Sequence, residues 1–573
     1  MARFEIQAEA QEAYHVYGFP LPRLEGRDPF TLAIEAPSEN PRPLGLALDW
    51  VQIERGAGGH FGLPQGLALR GALVGAVAAA APLLAGGGAL LATAHAALVL
   101  LALAAGAAAD PLAGERVLRE GAGPYVFVAA FGLLLVRCRL SWSSLAGGLP
   151  EALTPRLRSA LVVIVLLAVA LRLAMLLHPR FYYPDVRVHA LFVRELARQG
   201  VRPFLAHFTD NQFRYSLGLQ FESGHWYAFP YPPVFYLLCG PLVTVCRFSP
   251  ELAVKILPAV LNSLEAIVVF AIARRLRLSP VAALGSAAAV PLLPIFLVRL
   301  SLAYFPAITG HAVDALVILV LLATAPKTDR PRVVLALAGL VALALLTYTQ
   351  SVVNLGLLMP LFLALQIAFD RASGSWRRHA GLAIAGALGT ALACGLFYAR
   401  YAPVFLDMRS GVAMQGESIV LERLERLRSL ATEPAAEEHD DPYAQPTTDL
   451  LRGVRKAGHR LGLFYGPFAL VVAIGYLMLI RRSEPVAARF VTAWGATYLL
   501  ICLGSGGLPG PNLLRYSKEL EVIAPLCCVA LAVVGGWLWQ RARVLAVVYV
   551  LAAWAYGAVR GLGAFTERLT FQR

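Results

Sequence analysis

The chain reads as an all-α polytopic membrane protein of about 14 transmembrane helices, with further helices at the membrane surface and a short β segment at its start. Three observations predict this. Of 573 residues 58% are hydrophobic and only 15% charged, whereas soluble domains carry about a quarter charged residues. The apolar residues come in runs of about 20, the length at which a helix crosses a bilayer. Between the runs lie short arginine clusters, the pattern of cytoplasmic loops. That pattern accounts for the net charge of +14 and argues against a nucleic-acid partner. The 7 cysteines form no CxxC and no extracellular framework spacing, which argues against disulfides and thiol-bound metal.

Residues 1–65 contain FTLAIEA and LGLALDWVQIE around the turn-prone PSENPRP, and they read as extracytoplasmic strands. No basic start with an apolar core precedes them. Two or three strands bury no core alone, so the segment reads as the remnant of a β-sandwich or as a truncated start. Accessory membrane helices follow over 66–157, with runs at 67–86, 89–109 and 121–137. A core over 158–400 holds runs at 158–177, 253–274, 281–299, 305–325, 333–348, 351–369 and 379–400. After a loop at 401–460 come the last helices, over 461–573, with runs at 461–480, 487–505, 519–539 and 543–560.

Arginine clusters at 137–139, 274–277, 327–332, 371–379, 481–482 and 540–543 set the orientation. One assignment puts all of them inside. It leaves 1–65, the 178–252 region, the turn at 348–354, the loops 401–460 and 505–518 and the C-terminus outside. The same parity forbids a crossing by PPVFYLLCGPLVTV at 232–245, which becomes a re-entrant or surface helix.

The 178–252 region concentrates acids, histidines and aromatics where ionisable groups need a reason to be. In YPDVRVHALFVRELARQG, Pro184 suits a first helical turn and Asp185 sits at the positive end of the helix dipole. Asp185, His189 and Phe192 share one side at helical spacing. The segment reads equally as an interfacial amphipathic helix with an acidic first turn. As chemistry, Asp185 is a general base aimed at an acceptor hydroxyl. Asp210 and Glu222 are alternative or helper acids, and His189 orients Asp185 or contacts sugar, unless it only meets headgroups.

A span ending in external YPDVRVHA, a polar loop, FPYPPVFYLL and then ELAVKILPAVLNSLEAIVVFAIARRL together resemble the GT-C superfamily of membrane glycosyltransferases. The similarity is greatest to its protein mannosyltransferase and aminoarabinose transferase branch. The resemblance implies a GT-C-like fold and transfer of sugar from a polyprenyl-phosphate carrier to an acceptor hydroxyl, with inversion, on the extracytoplasmic face. The family's first external loop carries an acid shortly after the span, often Asp-Glu. Asp185 holds the first of those positions and Val186 the second, so this chain has one acid in the motif and a histidine four residues on.

Such a reaction needs a base, cations for the departing phosphate and an apolar groove for the lipid tail. In LPGPNLLRYSKELEVIAPL the cations are Arg515 and Lys518, with Tyr516 between them, and the resemblance places an Arg-Tyr pair near the lipid phosphate. The same residues also read as headgroup anchors, or as partners of Glu519 and Glu521. His311 and Asp314, one turn apart in YFPAITGHAVDALVIL, line the base of a cavity under Asp185 or form a structural pair between helices. Tyr348, Gln350 and Asn354 occupy a helix break similar to a family turn beside the active site, and Tyr231 of FPYPP completes the substrate-binding set. Polarity there also serves broken backbone.

No cofactor or metal is required by these motifs. The run EEHDDPY, with Glu437, Glu438, His439, Asp440 and Asp441, is a candidate divalent-cation loop, although consecutive acids do not share a helix face. The partners expected are a polyprenyl-phosphate-linked sugar, an acceptor that is glycan, lipid or protein, and the bilayer. A lipid or sugar transporter or flippase, or a polysaccharide polymerase or ligase, is the alternative. Against a transporter, no pair of matching interrupted helices occurs in two halves.

Overall fold

In the computed structural model, the residues described are 65–137, 154–178, 181, 183–209, 212, 219–222, 225–228, 230–370, 375–401, 448–506 and 518–570. The strands expected in 1–65 and the acidic run at 437–441 lie outside them, as do Asp210, Arg515 and Tyr516. Helices account for nearly all of the rest. Proline and a capping residue mark many of their starts. Thr154, Ser249 and Ser279 each precede a proline and accept a hydrogen bond from the backbone of the first turn, which supplies a partner to an otherwise orphaned amide.

In chain order the helices are α1 (Gln65–Leu84), α2 (Ala89–Ala109), α3 (Pro111–Arg137), α4 (Pro155–Leu176), α5 (Pro184–Gln199) and α6 (Val201–Ala206). A two-stranded antiparallel hairpin, β1 (Leu219–Glu222) and β2 (His225–Ala228), follows. Then come α7 (Val234–Thr244), α8 (Pro250–Arg275), α9 (Pro280–Ala289), α10 (Pro294–Ser301), α11 (Phe305–Thr324), α12 (Pro331–Thr347), α13 (Gln350–Phe369) and α14 (Ser375–Leu396). The chain closes with α15 (Leu450–Tyr465), α16 (Phe468–Arg482), α17 (Pro485–Gly506), α18 (Lys518–Glu521), α19 (Ala524–Arg541) and α20 (Arg543–Thr570).

The protein is an all-α, multi-pass membrane protein. Among the described residues 12 helical segments are long and apolar enough to cross a bilayer, α9 and α10 counting as one. The bent pair α15–α16, whose axes turn by 114°, brings the number to at most 13, one short of the expected 14, and the run expected at 333–348 is α12, a shorter apolar helix of 17 residues. Two expectations need correction. The run at 461–480 is not one straight helix, because Gly466 at φ +51° turns the chain there. Residues 450–460, read as loop, are the start of α15, capped by Asp449. The 232–245 run is α7, 11 residues long and too short to span. Helices α8 and α11 are the most buried of the spanning segments, while α2 and α20 are the least.

Contacts at the helix ends sort as the arginine clusters require. At one end Arg277 pairs with Glu484, the Thr328 hydroxyl donates to Arg378 O, and the Arg489 guanidinium donates to Phe369 O. At the other, Phe181 stacks on Phe565, the Arg194 guanidinium donates to Glu251, and that of Arg400 donates to Leu205 O. Every one of these contacts joins loops that the positive-inside rule puts on one side.

Candidate active site

The second of those ends carries the ionisable groups of interest. Asp185 lies in the first turn of α5, which buries Val186, Phe192, Val193 and Leu196 against α7 and α8. That packing draws the carboxylate partly out of water. Among the described residues it takes no ion pair, and burial raises its pKa to about 6.

One turn on, His189 is 2% exposed. Its ring lies 5.8 Å from those of Phe235 and Tyr236 and 5.9 Å from that of Tyr231. Its Nδ1 shares a 3.0 Å hydrogen bond with the Tyr236 hydroxyl, and burial lowers its pKa to about 3. The imidazole is therefore neutral and held by Tyr236. The aromatic box disfavours charge on the ring, so any part His189 takes beside Asp185 is that of a neutral imidazole.

Tyr231 links this box to the membrane helices. Gln212 clamps its backbone, donating from Nε2 to Tyr231 O at 2.6 Å and accepting from Tyr231 N at 3.0 Å. Burial first, and the charge of Asp185 second, hold the Tyr231 hydroxyl well above its ordinary pKa. Beyond it, Tyr348 follows at 6.5 Å between ring centroids and His311 at 6.0 Å from Tyr348. Tyr348 sits against Gly310, where an added Cβ would lie 2.3 Å from the tyrosine Cβ. Only glycine admits the ring there.

The far end of this chain is charged. His311 Nε2 and Arg299 Nε both pair with Glu521, and all three side chains are at most 4% exposed. Lys518, buried on the same short α18, adds its positive charge near Glu521. His311 Nδ1 lies 3.8 Å from Asp314, too far for a hydrogen bond. Asp314 instead accepts from Asn354 Nδ2 at 3.0 Å, and Gln350 donates to Asn354 at 3.4 Å. The expected His311–Asp314 bond is thus replaced by two bonds to other helices. His311, Asp314, Asn354 and Glu521 border a cavity with about 10 Å³ of water-accessible space, enough for roughly one water.

Neither a protein-family model nor a curated protein matches the sequence. Solved structures do. An archaeal oligosaccharyltransferase AglB from Archaeoglobus fulgidus, in complex with an inhibitory peptide and a dolichol-phosphate, aligns at 13% identity and a TM-score of 0.39, over 73% of this chain and 55% of that one. The Archaeoglobus fulgidus oligosaccharyltransferase in complex with Zn and sulfate aligns at 13% identity and a TM-score of 0.41, over 71% and 53%. This chain spans about half the length of each. Similarity at that level carries no argument about its function.

Glu222 lies in β1, paired with His225 of β2, across a hairpin that the sequence reading treated as polar loop. Among the described residues Glu519 meets Lys456 at 2.7 Å and Arg460 at 4.0 Å, both on α15. The structure adds residues that sequence reasoning passed over. Arg299, Gln212 and the buried trio Arg172, Asn262 and Glu265 are the main ones. Arg172 Nε donates to Asn262 Oδ1 and Asn262 Nδ2 to Glu265 Oε2, each at 2.8 Å. The rule that flagged His311, an ionisable residue inside an apolar run, finds Arg172, Glu265 and Arg299 equally. Gln212 has no such signal.

Proposed function

We propose that this protein is an inverting, GT-C-type glycosyltransferase that moves a sugar from a polyprenyl-phosphate carrier to an acceptor hydroxyl on the extracytoplasmic face. Asp185 is the base. The observation that carries this reading is a half-buried carboxylate without a cationic partner among the described residues, raised to about 6 by burial. Two aromatic residues, Tyr231 and Tyr348, lie between it and a charged cluster that holds Arg299. A base for a hydroxyl works best with a pKa near the operating pH.

In the step itself the acceptor oxygen attacks the anomeric carbon and its proton passes to Asp185. The bond from that carbon to the phosphate oxygen breaks, and polyprenyl phosphate leaves with the electron pair. Arg515 and Lys518 stabilise the leaving phosphate, joined by Tyr516. Tyr231, Tyr348, His311, Asp314 and Gln350 shape the sugar-side wall, and Glu222 is a helper acid. The acceptor is a glycan, lipid or protein hydroxyl.

A second reading, a transporter or flippase, draws on Glu265, His311 and Asp314, all buried within membrane-length helices. Transfer from radiolabelled polyprenyl-phosphate sugars, in membranes holding wild type or Asp185→Asn, separates the two. Transfer by wild type alone supports the base. Equal transfer by both removes Asp185 from that role, and no transfer from any carrier favours the transporter.

A further inference from the structure

The helix α15 has no part in the reaction just described, yet its sequence, LLRGVRKAGHRLGLFY, is unlike that of any spanning helix here. It holds Arg452, Arg455, Lys456, His459 and Arg460 and no acid. At 100° per residue its side chains separate into three faces. The first packs inward through Gly453, Ala457 and Phe464. Gly453 is there because a Cβ would lie 2.9 Å from Leu503 Cα. Lys456 turns inward with this face, toward Glu519 at 2.7 Å.

The second face, Leu450, Leu451 and Val454, is 56%, 57% and 53% exposed. The third carries Arg452, Arg455 and His459, all exposed. A water-facing helix has no use for the second face, and a lipid-buried one cannot hold the third. The bend supplies an independent observation. The axis of α15 turns by 114° from that of α16, an apolar helix ending in Arg481 and Arg482. With α16 along the bilayer normal, α15 lies close to the bilayer plane. An apolar strip beside a basic strip, laid flat, is the arrangement of a helix at the lipid headgroups.

We infer that α15 lies in the membrane interface, with Leu450, Leu451 and Val454 in the acyl region and Arg452 and Arg455 docking the headgroups of anionic phospholipids. Charge complementarity selects that occupant, because a zwitterionic headgroup offers no net attraction and an interfacial cation adds about a five-fold preference for an anionic surface. This inference does not depend on the transfer reaction.

The test uses the full chain in nanodiscs of phosphatidylcholine with a minor fraction of phosphatidylglycerol, extracted mildly and analysed for retained lipid. Wild type should retain phosphatidylglycerol above its bulk fraction, and Arg452→Gln with Arg455→Gln should cut that enrichment about five-fold per charge removed. Arg452→Lys with Arg455→Lys, which keeps both charges on α15, should leave this enrichment near the wild-type level. Should the α15 variant fail to fold, wild type alone still decides, since molar salt should abolish the enrichment. Enrichment unchanged in the α15 variant, or unaffected by salt, overturns the proposal. So does displacement of the retained lipid by equimolar polyprenyl phosphate, which would make the basic face of α15 a carrier site instead.

Discussion

Asp185 and Glu521 stand at opposite ends of one line of side chains, and their surroundings are opposed. Asp185 lies one turn before the aromatic box around His189 and meets no cation among the described residues. Glu521 is fully buried between Arg299 and His311. The first environment leaves a carboxylate poised to accept a proton. The second satisfies a carboxylate and fixes its neighbours. Burial alone therefore does not single out a base; burial with no cation among the described residues is what the role proposed for Asp185 rests on.

The largest effect should fall on chemistry at the uncompensated end. Asp185→Asn should lower sugar transfer about 10²- to 10⁴-fold, the range for a positioned base, while the protein still purifies as a folded species. Loss of both transfer and fold would make Asp185 structural. At the compensated end the expectation is reversed. Arg299→Met should cost about 3–5 kcal/mol by removing one partner of the buried Glu521 pair, read as a large drop in melting temperature in detergent. The double change Arg299→Met with Glu521→Met should recover part of that loss, because the two charges of that pair leave together.

Folding linkage sharpens the contrast through pH. The carboxyl of Asp185 is raised from 3.8 to about 6 on folding, so its protonated form is the one folding favours. Its contribution to stability is complete below pH 3.8 and lost as pH rises through about 6. Asp185→Asn should therefore raise the melting temperature near pH 7.5, by an amount corresponding to at most about 3 kcal/mol, and leave it unchanged near pH 3.5. Transfer by wild type runs the other way, rising about tenfold per unit below pH 6 and reaching a plateau above it. A flat profile across that window would remove Asp185 as the titrating base.

How far these two ends were legible in the sequence follows from the same physics. Runs of apolar residues and arginine clusters gave the helices and the sorting of their ends, because lipid imposes both on composition. Asp185 was legible since a Pro-Asp start to a helix is a local pattern. Its lack of a cation among the described residues was not, because that depends on what is packed around it from far along the chain, such as Tyr231 from 46 residues later. The pairing of Glu521 with Arg299 and His311 was equally hidden. A carboxylate just before a span suggests local cations such as Lys518, whereas the partners come from α10 and α11. The corner at Gly466 was missed since 461–480 is apolar throughout, and hydropathy does not register a bend.

Between the two ends, Gln212→Leu should have an intermediate effect. It removes both hydrogen bonds that fix the Tyr231 backbone, about 1 kcal/mol each. Transfer should fall roughly tenfold through a higher KM, with the pH midpoint unmoved, because the carboxylate environment is set by burial and not by Gln212. A shift of that midpoint would mean that Tyr231 itself sets the acidity of Asp185.

The smallest change should come from His189. Its imidazole is buried, held well below neutral titration and bonded to Tyr236, so it contributes packing and one hydrogen bond of about 1 kcal/mol. His189→Gln keeps a polar partner for the Tyr236 hydroxyl and should retain at least about a third of wild-type transfer, with the acid limb still centred near pH 6. If His189 were a cation assisting Asp185, its removal would push that limb upward, since a lost positive neighbour raises a carboxyl pKa. The position of the acid limb, rather than the rate, therefore decides whether the aromatic box holds Asp185 by exclusion of water alone.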